Sequence, residues 1–177
     1  MLDRIMFVLE TPRLLIREMA IDDFDALHAV YSDAVAMVHY PEPFDATRTK
    51  AWIERNVRNY SEHGFGLWAL VHKEEDKVVG DCGLSLQQVG GDAELEIGYR
   101  ILRSHWNQGL ATEAASACRD YVFDELRRDR VISWMRPENI ASRRVAEKIG
   151  MRLEKEAFDR TGKKQVVYSM TPRDRTP

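Results

Sequence analysis

Between residues 66 and 127 the hydrophobic period of the chain changes, and that change limits the folds open to it. Three strand-like runs come first, GLWALVHK (66–73), KVVGDCGLSLQQ (77–88) and AELEIGYRI (93–101), parted only by Glu74-Glu75-Asp76 and Gly90-Gly91-Asp92. Turns that short join antiparallel neighbours, because parallel strands need a crossover of a dozen or more residues. From about 109 to 127 the spacing becomes helical: Leu110, Ala114, Ala117, Cys118, Tyr121, Val122 and Leu126 fall on one apolar stripe. A strand RVISWMR (130–136), a second helix (140–149) and two strands near 151–158 and 164–171 follow. Strand, helix, strand demands at least one parallel crossover beside the meander, so the expected class is α/β with a mixed, mostly antiparallel sheet and about four helices.

Upstream, residues 8–18 carry a Leu14-Leu15-Ile16 run between charged flanks and read as a first strand. One helix is expected near IDDFDALHAVYSDA, with acids in its first turn, and another near DATRTKAWIERNVRNYSEH, ending at Gly64. No repeat or low-complexity tract breaks the pattern. A single domain over 1–177 is expected, its core at about 8–170 and its tail, 171–177, frayed.

Charge narrows the partners. Both signs are interspersed and the net charge is only -3, which gives no bulk electrostatic reason to expect a nucleic acid or a membrane surface. The apolar run from Ile5 to Leu9 is too short for a signal-peptide core or a membrane span. Cys82 and Cys118 have no CxxC spacing and read as free thiols, so the expected location is the cytoplasm. The five histidines show no HxxxH or HxH pairing, and no metal is expected.

The turn that opens the long helix, Trp106-Asn-Gln-Gly-Leu-Ala-Thr112, is the first candidate site. The first N–H groups of a helix have no intrahelical partner and carry partial positive charge, and Gly109 lets backbone approach a ligand with no side chain between. The natural guest is a phosphate or pyrophosphate, although many such turns bind nothing. A nucleotide loop is a poor alternative, since GxxxxGK[ST] is absent and Gly64-Phe65-Gly66 lacks a third glycine and precedes a strand.

With ELEIGYRI before it and RPENIASRRVAEKIGM after it, WNQGLATEA resembles the acetyl-CoA-binding core of the GNAT N-acetyltransferases, in the branch of the ribosomal-protein N-terminal acetyltransferases. The opening LETPRLLIREMAIDDFDAL is similar to that branch too. The resemblance implies a sheet whose central strands splay apart, and a direct transfer of acetyl from acetyl-CoA to a primary amine, with no metal. It places the pyrophosphate on the amides of Gln108, Gly109, Leu110, Ala111 and Thr112. It places the pantetheine arm on the backbone of Tyr99, Arg100 and Ile101, and on Asn139. Trp106 and Asn107 depart from the family's Q/R-x-x-G-x-G/A signature at its first two places. The family also allows a homodimer, which no residue pattern here establishes.

An alkyl amine with pKa about 10.4 is neutral in only ~1 part in 10³ at pH 7, against ~1 in 10 for an N-terminal amine near 7.8, so the transfer calls for a base. The resemblance puts Glu96 there, acting through water, with Glu94 two residues away on the same strand face as the alternative. Asn139 suits a helix N-cap, and Ser142 on the same turn is implied to protonate the departing thiolate, directly or through water. Many family members carry a tyrosine acid seven residues after that Asn; here the place is Ala146. Arg103 could meet a CoA phosphate or simply be solvated, and Trp52, Tyr60 and His39–Phe44 could line an acceptor pocket or pack the core. The competing readings are a catalytically weak CoA-binding sensor or scaffold and, behind it, a nucleotide-binding module.

Overall fold

The computed structural model describes residues 7–175; residues 1–6, with the start of the N-terminal apolar run, and 176–177 of the tail lie outside it. One eight-stranded sheet runs through the described residues in the order β1-β2-β3-β4-β5-β6-β8-β7. The strands are β1 (Phe7–Glu10), β2 (Leu14–Arg17), β3 (Leu67–His72), β4 (Lys77–Val89), β5 (Asp92–Ile101), β6 (Val131–Met135), β7 (Arg152–Phe158) and β8 (Lys164–Met170). The helices are α1 (Phe24–Tyr31), α2 (Ala46–His63), α3 (Leu110–Asp124) and α4 (Ile140–Lys148).

The meander forms as its short turns require: β3 and β4 pair antiparallel, and β4 and β5 run in unbroken register from Gly80↔Ile101 to Val89↔Asp92. The crossover through α3 makes β5 and β6 parallel, the sole parallel pair of the sheet. That pair touches at a single register position, Glu96↔Ile132, and beyond it the two strands part.

Alternation along the strands separates two cores. Trp68 and Leu70 of β3 face α3, whose Leu110, Ala114, Cys118 and Val122 are buried against the sheet. Leu67 and Ala69 face the other way and pack with Leu27, Val30 and Tyr31 of α1 and Ile53 of α2. Helix α2 starts where Asp45 accepts a hydrogen bond from the Arg48 amide and stops at Gly64, whose φ of 77° lies in the left-handed region that favours glycine.

Two expectations change. Residues 8–18 are not one strand but the hairpin β1–β2, turned at Thr11-Pro12-Arg13, where the Thr11 amide donates to the Leu14 carbonyl at 2.9 Å. The tail, expected to fray, carries contacts over 171–175: the Asp174 carboxylate caps the Thr171 amide at 2.8 Å, and Arg175 pairs with Asp124 at 2.6 Å.

Candidate active site

The loop before α3 curls through two left-handed residues, Asn107 at φ 60° and Gly109 at φ 81°. Asparagine is among the few side-chain-bearing residues that adopt this region readily, which accounts for Asn107 where a glycine is also used. The result is a concave run of backbone: the amides of Gln108, Gly109, Leu110, Ala111 and Thr112 have no hydrogen-bond partner among the described residues. Leu110 is itself buried, so its side chain anchors the turn while its N–H stays outside. Such a nest at a helix N-terminus suits an anion.

A clamp from the far end of the chain holds the loop. Arg13, in the β1–β2 turn, donates to the Gln108 carbonyl at 2.8 Å and to Glu113, on the first turn of α3, at 2.7 Å. Thr11 adds its hydroxyl to the same carboxylate at 2.6 Å. Burial works against ionisation of Glu113, yet these donors outweigh it and hold its carboxyl below the ordinary range. Nothing in the sequence pairs Arg13 with a residue a hundred positions away.

Where β5 parts from β6, its edge is open. The Leu102 amide donates to the Val79 carbonyl on the β4 side, whereas the Ile101 carbonyl accepts from the Trp106 indole N–H at 2.7 Å on the other. Backbone groups alternate sides along a strand, so Tyr99 and Ile101 face the gap and Arg100 turns its backbone to β4. Of the three residues assigned to backbone contacts at this strand end, Arg100 therefore contributes its side chain instead. Trp106 ties the anion loop to the strand end, a use for tryptophan that a backbone-binding signature does not reveal.

Across the gap stands α4. Asn139 caps it, its side-chain oxygen accepting from the Ser142 amide at 3.1 Å. The Tyr99 hydroxyl donates to the Ser142 carbonyl at 2.8 Å, and burial pushes that phenol up. The Ser142 hydroxyl lies beside the same phenol. Ala146 is fully buried, so no acid can act from that position.

Two clefts meet here. One, about 470 Å³, follows the α3 loop, the open edge of β5 and the face of α4 that carries Arg144 and Lys148. The other, about 600 Å³, lies on the α1–α2 side of the sheet and contains Glu96 and Gly98. They share His39, Tyr40, Tyr99, Arg100, Asn139 and Ser142.

Glu96 is partly buried, accepting from Gln87 at 2.8 Å and Ser85 at 3.0 Å; burial raises its carboxyl above the ordinary range despite these donors. Glu94, its neighbour on the same face, is taken up by Arg130 at 3.0 Å and lines neither cleft. Below the junction lies a group that sequence reasoning missed. Asp81 on β4, fully buried, receives the Tyr31 hydroxyl at 2.6 Å and the Arg100 guanidinium at 2.8 Å, and that guanidinium packs over the rings of Tyr40 and Trp52.

Other candidates settle into place. Arg103 pairs with Asp33 at 2.9 Å, tying the strand end to the loop after α1. Trp52 and His39–Pro41 line the larger cleft, whereas Phe44 is buried and Tyr60 is structural, donating to the Leu67 carbonyl and accepting from the Met19 amide. Among the described residues no three His, Cys, Asp or Glu side chains converge as a metal site requires, and no helix is long and apolar enough to cross a membrane.

A mixed sheet parted between its two parallel strands, with a concave run of unpartnered amides at the mouth of the parting and a carboxylate in the cleft beyond, suits acyl transfer, and the comparisons place the protein among the acyltransferases. The chain belongs to the GNAT acetyltransferase family, whose domain profile matches residues 13–152. Two relatives come from Bacillus subtilis (strain 168). The uncharacterized protein YkkB is 38% identical over 148 residues, 83% of this chain and 86% of that one. The uncharacterized N-acetyltransferase YnaD is 35% identical over 145 residues, 81% and 82% of the two chains. The crystal structure of a GNAT-family acetyltransferase from Bacillus anthracis superposes with a TM-score of 0.79 at 29% identity, covering 94% of this chain and 98% of that one. The ribosomal L7/L12 α-N-protein acetyltransferase RimL, solved in complex with coenzyme A, shares the fold at 16% identity, with a TM-score of 0.76 over 94% of this chain and 98% of its own.

Proposed function

We propose that the protein transfers acetyl from acetyl-CoA directly to a primary amine, and that the two clefts hold the two substrates. The observation that carries this reading is their meeting at Tyr99, Arg100, Asn139 and Ser142. The smaller cleft suits the donor. Five unpartnered amides offer a site for a pyrophosphate, Arg144 and Lys148 add positive charge beside it, and the Tyr99 backbone offers a strand edge for an amide-bearing arm. A coenzyme A complex of a protein with the same fold supports the choice. Bound there, acetyl-CoA supplies an activated acetyl thioester.

Glu96 is the base. Its raised carboxyl is better matched to an amine proton at neutral pH than an ordinary glutamate, and it faces the larger cleft, where it acts through a water. The amine nitrogen bonds the acetyl carbon as the carbon–sulfur bond breaks; the amine proton passes to Glu96. A backbone N–H on the open edge of β5 polarises the acetyl carbonyl. Ser142, at the junction beside the Tyr99 phenol, relays a proton to the thiolate directly or through water, its hydroxyl taking one from water as it gives one up. A thiol leaving group has a pKa near 8.5, so this acid assists rather than enables the step.

Thiol release from acetyl-CoA, measured against a panel of primary amines with acetylated product identified by mass spectrometry, tests the function. Amine-dependent release is expected. Tight binding of acetyl-CoA with no turnover on any amine refutes it in favour of a sensor or scaffold.

A further inference from the structure

The larger cleft is walled by guanidinium groups. Arg48, Trp52 and Arg55 fall at i, i+4 and i+7 on α2 and face into it, while Arg136 from the end of β6 and Arg160 from the β7–β8 turn line the other side. The charge of Arg100 is matched by the buried Asp81, and Arg48 touches Glu42 at 3.1 Å in a water-exposed pair that screening weakens. Arg55, Arg136 and Arg160 have no carboxylate partner among the described residues.

Two acids line the cleft against them. The Asp159 carboxylate is already occupied by its own turn, accepting from the Thr161 amide at 2.8 Å, the Lys163 amide at 3.0 Å and Gln165 at 3.0 Å; the Thr161 hydroxyl leads the donors that hold it near a pKa of about 2. Glu96, held by Gln87 and Ser85, is the group that meets the amine, and it stands against five arginines of the same cleft. Positive charge is thus in excess away from the reacting amine, and cleft walls of low dielectric focus it.

We propose that the acceptor is a small primary amine that also carries a carboxylate, an amino acid or a close relative, with its amine at Glu96 and its carboxylate held by Arg55 and the arginines opposite. The inference rests on the amine-acetyltransferase reading above. A guanidinium offers a planar fork that fits a carboxylate bidentately, whereas a polyamine or aminoglycoside brings several cations to walls of like charge. A cleft of about 600 Å³ lies within the range for one small ligand.

The test compares kcat/KM on matched acceptors: amino acids, their carboxamides, the corresponding decarboxylated amines, spermidine, and a peptide with an acidic N-terminal residue. Free amino acids are expected to exceed their carboxamides by about tenfold or more, the size of one charge-assisted contact. In Arg55→Gln and Arg160→Gln that advantage falls at least fivefold through the acceptor KM, while the KM for acetyl-CoA holds; Arg55→Lys retains part of it, and added salt reduces it in the wild type. Equal rates for acid and carboxamide, or a preference for spermidine, overturn the proposal. A preference for the peptide over every free amino acid overturns its small-molecule part. Transfer that ignores charge refutes this inference alone, whereas failure to acetylate any amine refutes the function and this inference with it.

Discussion

Replacing Asp81 by Asn tests whether the polar group under the active site holds the fold as its geometry implies. Asp81 is fully buried, and the Arg100 side chain keeps only 12% of its surface in water, 2.8 Å away. Asparagine preserves shape and still offers an oxygen to the Tyr31 hydroxyl, so the change removes charge rather than volume. The guanidinium is left buried without its anion, a loss of about 3–5 kcal/mol. In a chain of this length each kcal/mol moves Tm by about 2–4 °C, so thermal unfolding followed by circular dichroism should show a fall of about 6–20 °C. Because the pair is shielded from solvent, added salt should change that fall little. The double variant Asp81→Asn/Arg100→Gln should be less destabilised than the sum of the singles, the excess being their coupling. A fall below about 2 °C, or singles that add to within ~0.5 kcal/mol, would refute the reasoning.

Three further outcomes follow from the site. Glu96→Gln should cut turnover by about 10²–10⁴-fold while acetyl-CoA affinity, read by calorimetry, holds. Because burial raises the folded carboxyl above its unfolded value, ionised Glu96 opposes folding at pH above both values and contributes nothing below both. The Gln variant should therefore melt higher than wild type at pH 8, with the difference shrinking as pH falls through the carboxyl range, and the acid limb of the wild-type rate profile should lie above that of an ordinary glutamate; equal melting at pH 8 contradicts this. Gly109→Ala has room for its Cβ, whose nearest neighbour is Arg13 at 3.5 Å, so its penalty is the left-handed backbone, about 1–2 kcal/mol; the free loop relieves that strain by leaving the nest conformation, and acetyl-CoA affinity should fall by up to about 5–30-fold. Unchanged affinity would mean the nest is not the anion site. Arg13→Gln frees the Gln108 carbonyl and Glu113 together and should weaken acetyl-CoA two- to fivefold, in keeping with a half-exposed pair; if Tm falls while affinity does not, the clamp is structural only.

What the sequence disclosed is what neighbouring residues decide. The ends of α2, the short turns of the meander and the switch to helical period at Leu110 are written in caps, turn residues and spacing over a few positions. The hairpin at Thr11-Pro12-Arg13 carries Pro12 as its one turn signal, and its two four-residue strands are short enough to read as one. Of the site, the nest at 108–112 and the cap at Asn139 are local and were legible. The Arg13 clamp and the Asp81–Arg100–Tyr31 group join residues brought together only by strand register and by α1 crossing β4. Glu94 and Glu96 could not be ranked from alternation, which places both on one face; the Arg130 partner that occupies Glu94 comes from another strand's approach.

The single paired position between β5 and β6 makes the sheet a two-leaf structure, five strands on one side and three on the other, with the ladder joined at Glu96 and Ile132. On the proposed placement of the donor, acetyl-CoA lies along the open edge of β5 and against α4 as a strut between the leaves, and at a hundredfold excess over Kd it adds about 2.7 kcal/mol to the folded state. Glu96 stands at the apex of that fork. On the proposed chemistry a change in the angle between the leaves re-aims that carboxylate, so the cosubstrate that braces the fork also sets the direction from which a proton is taken.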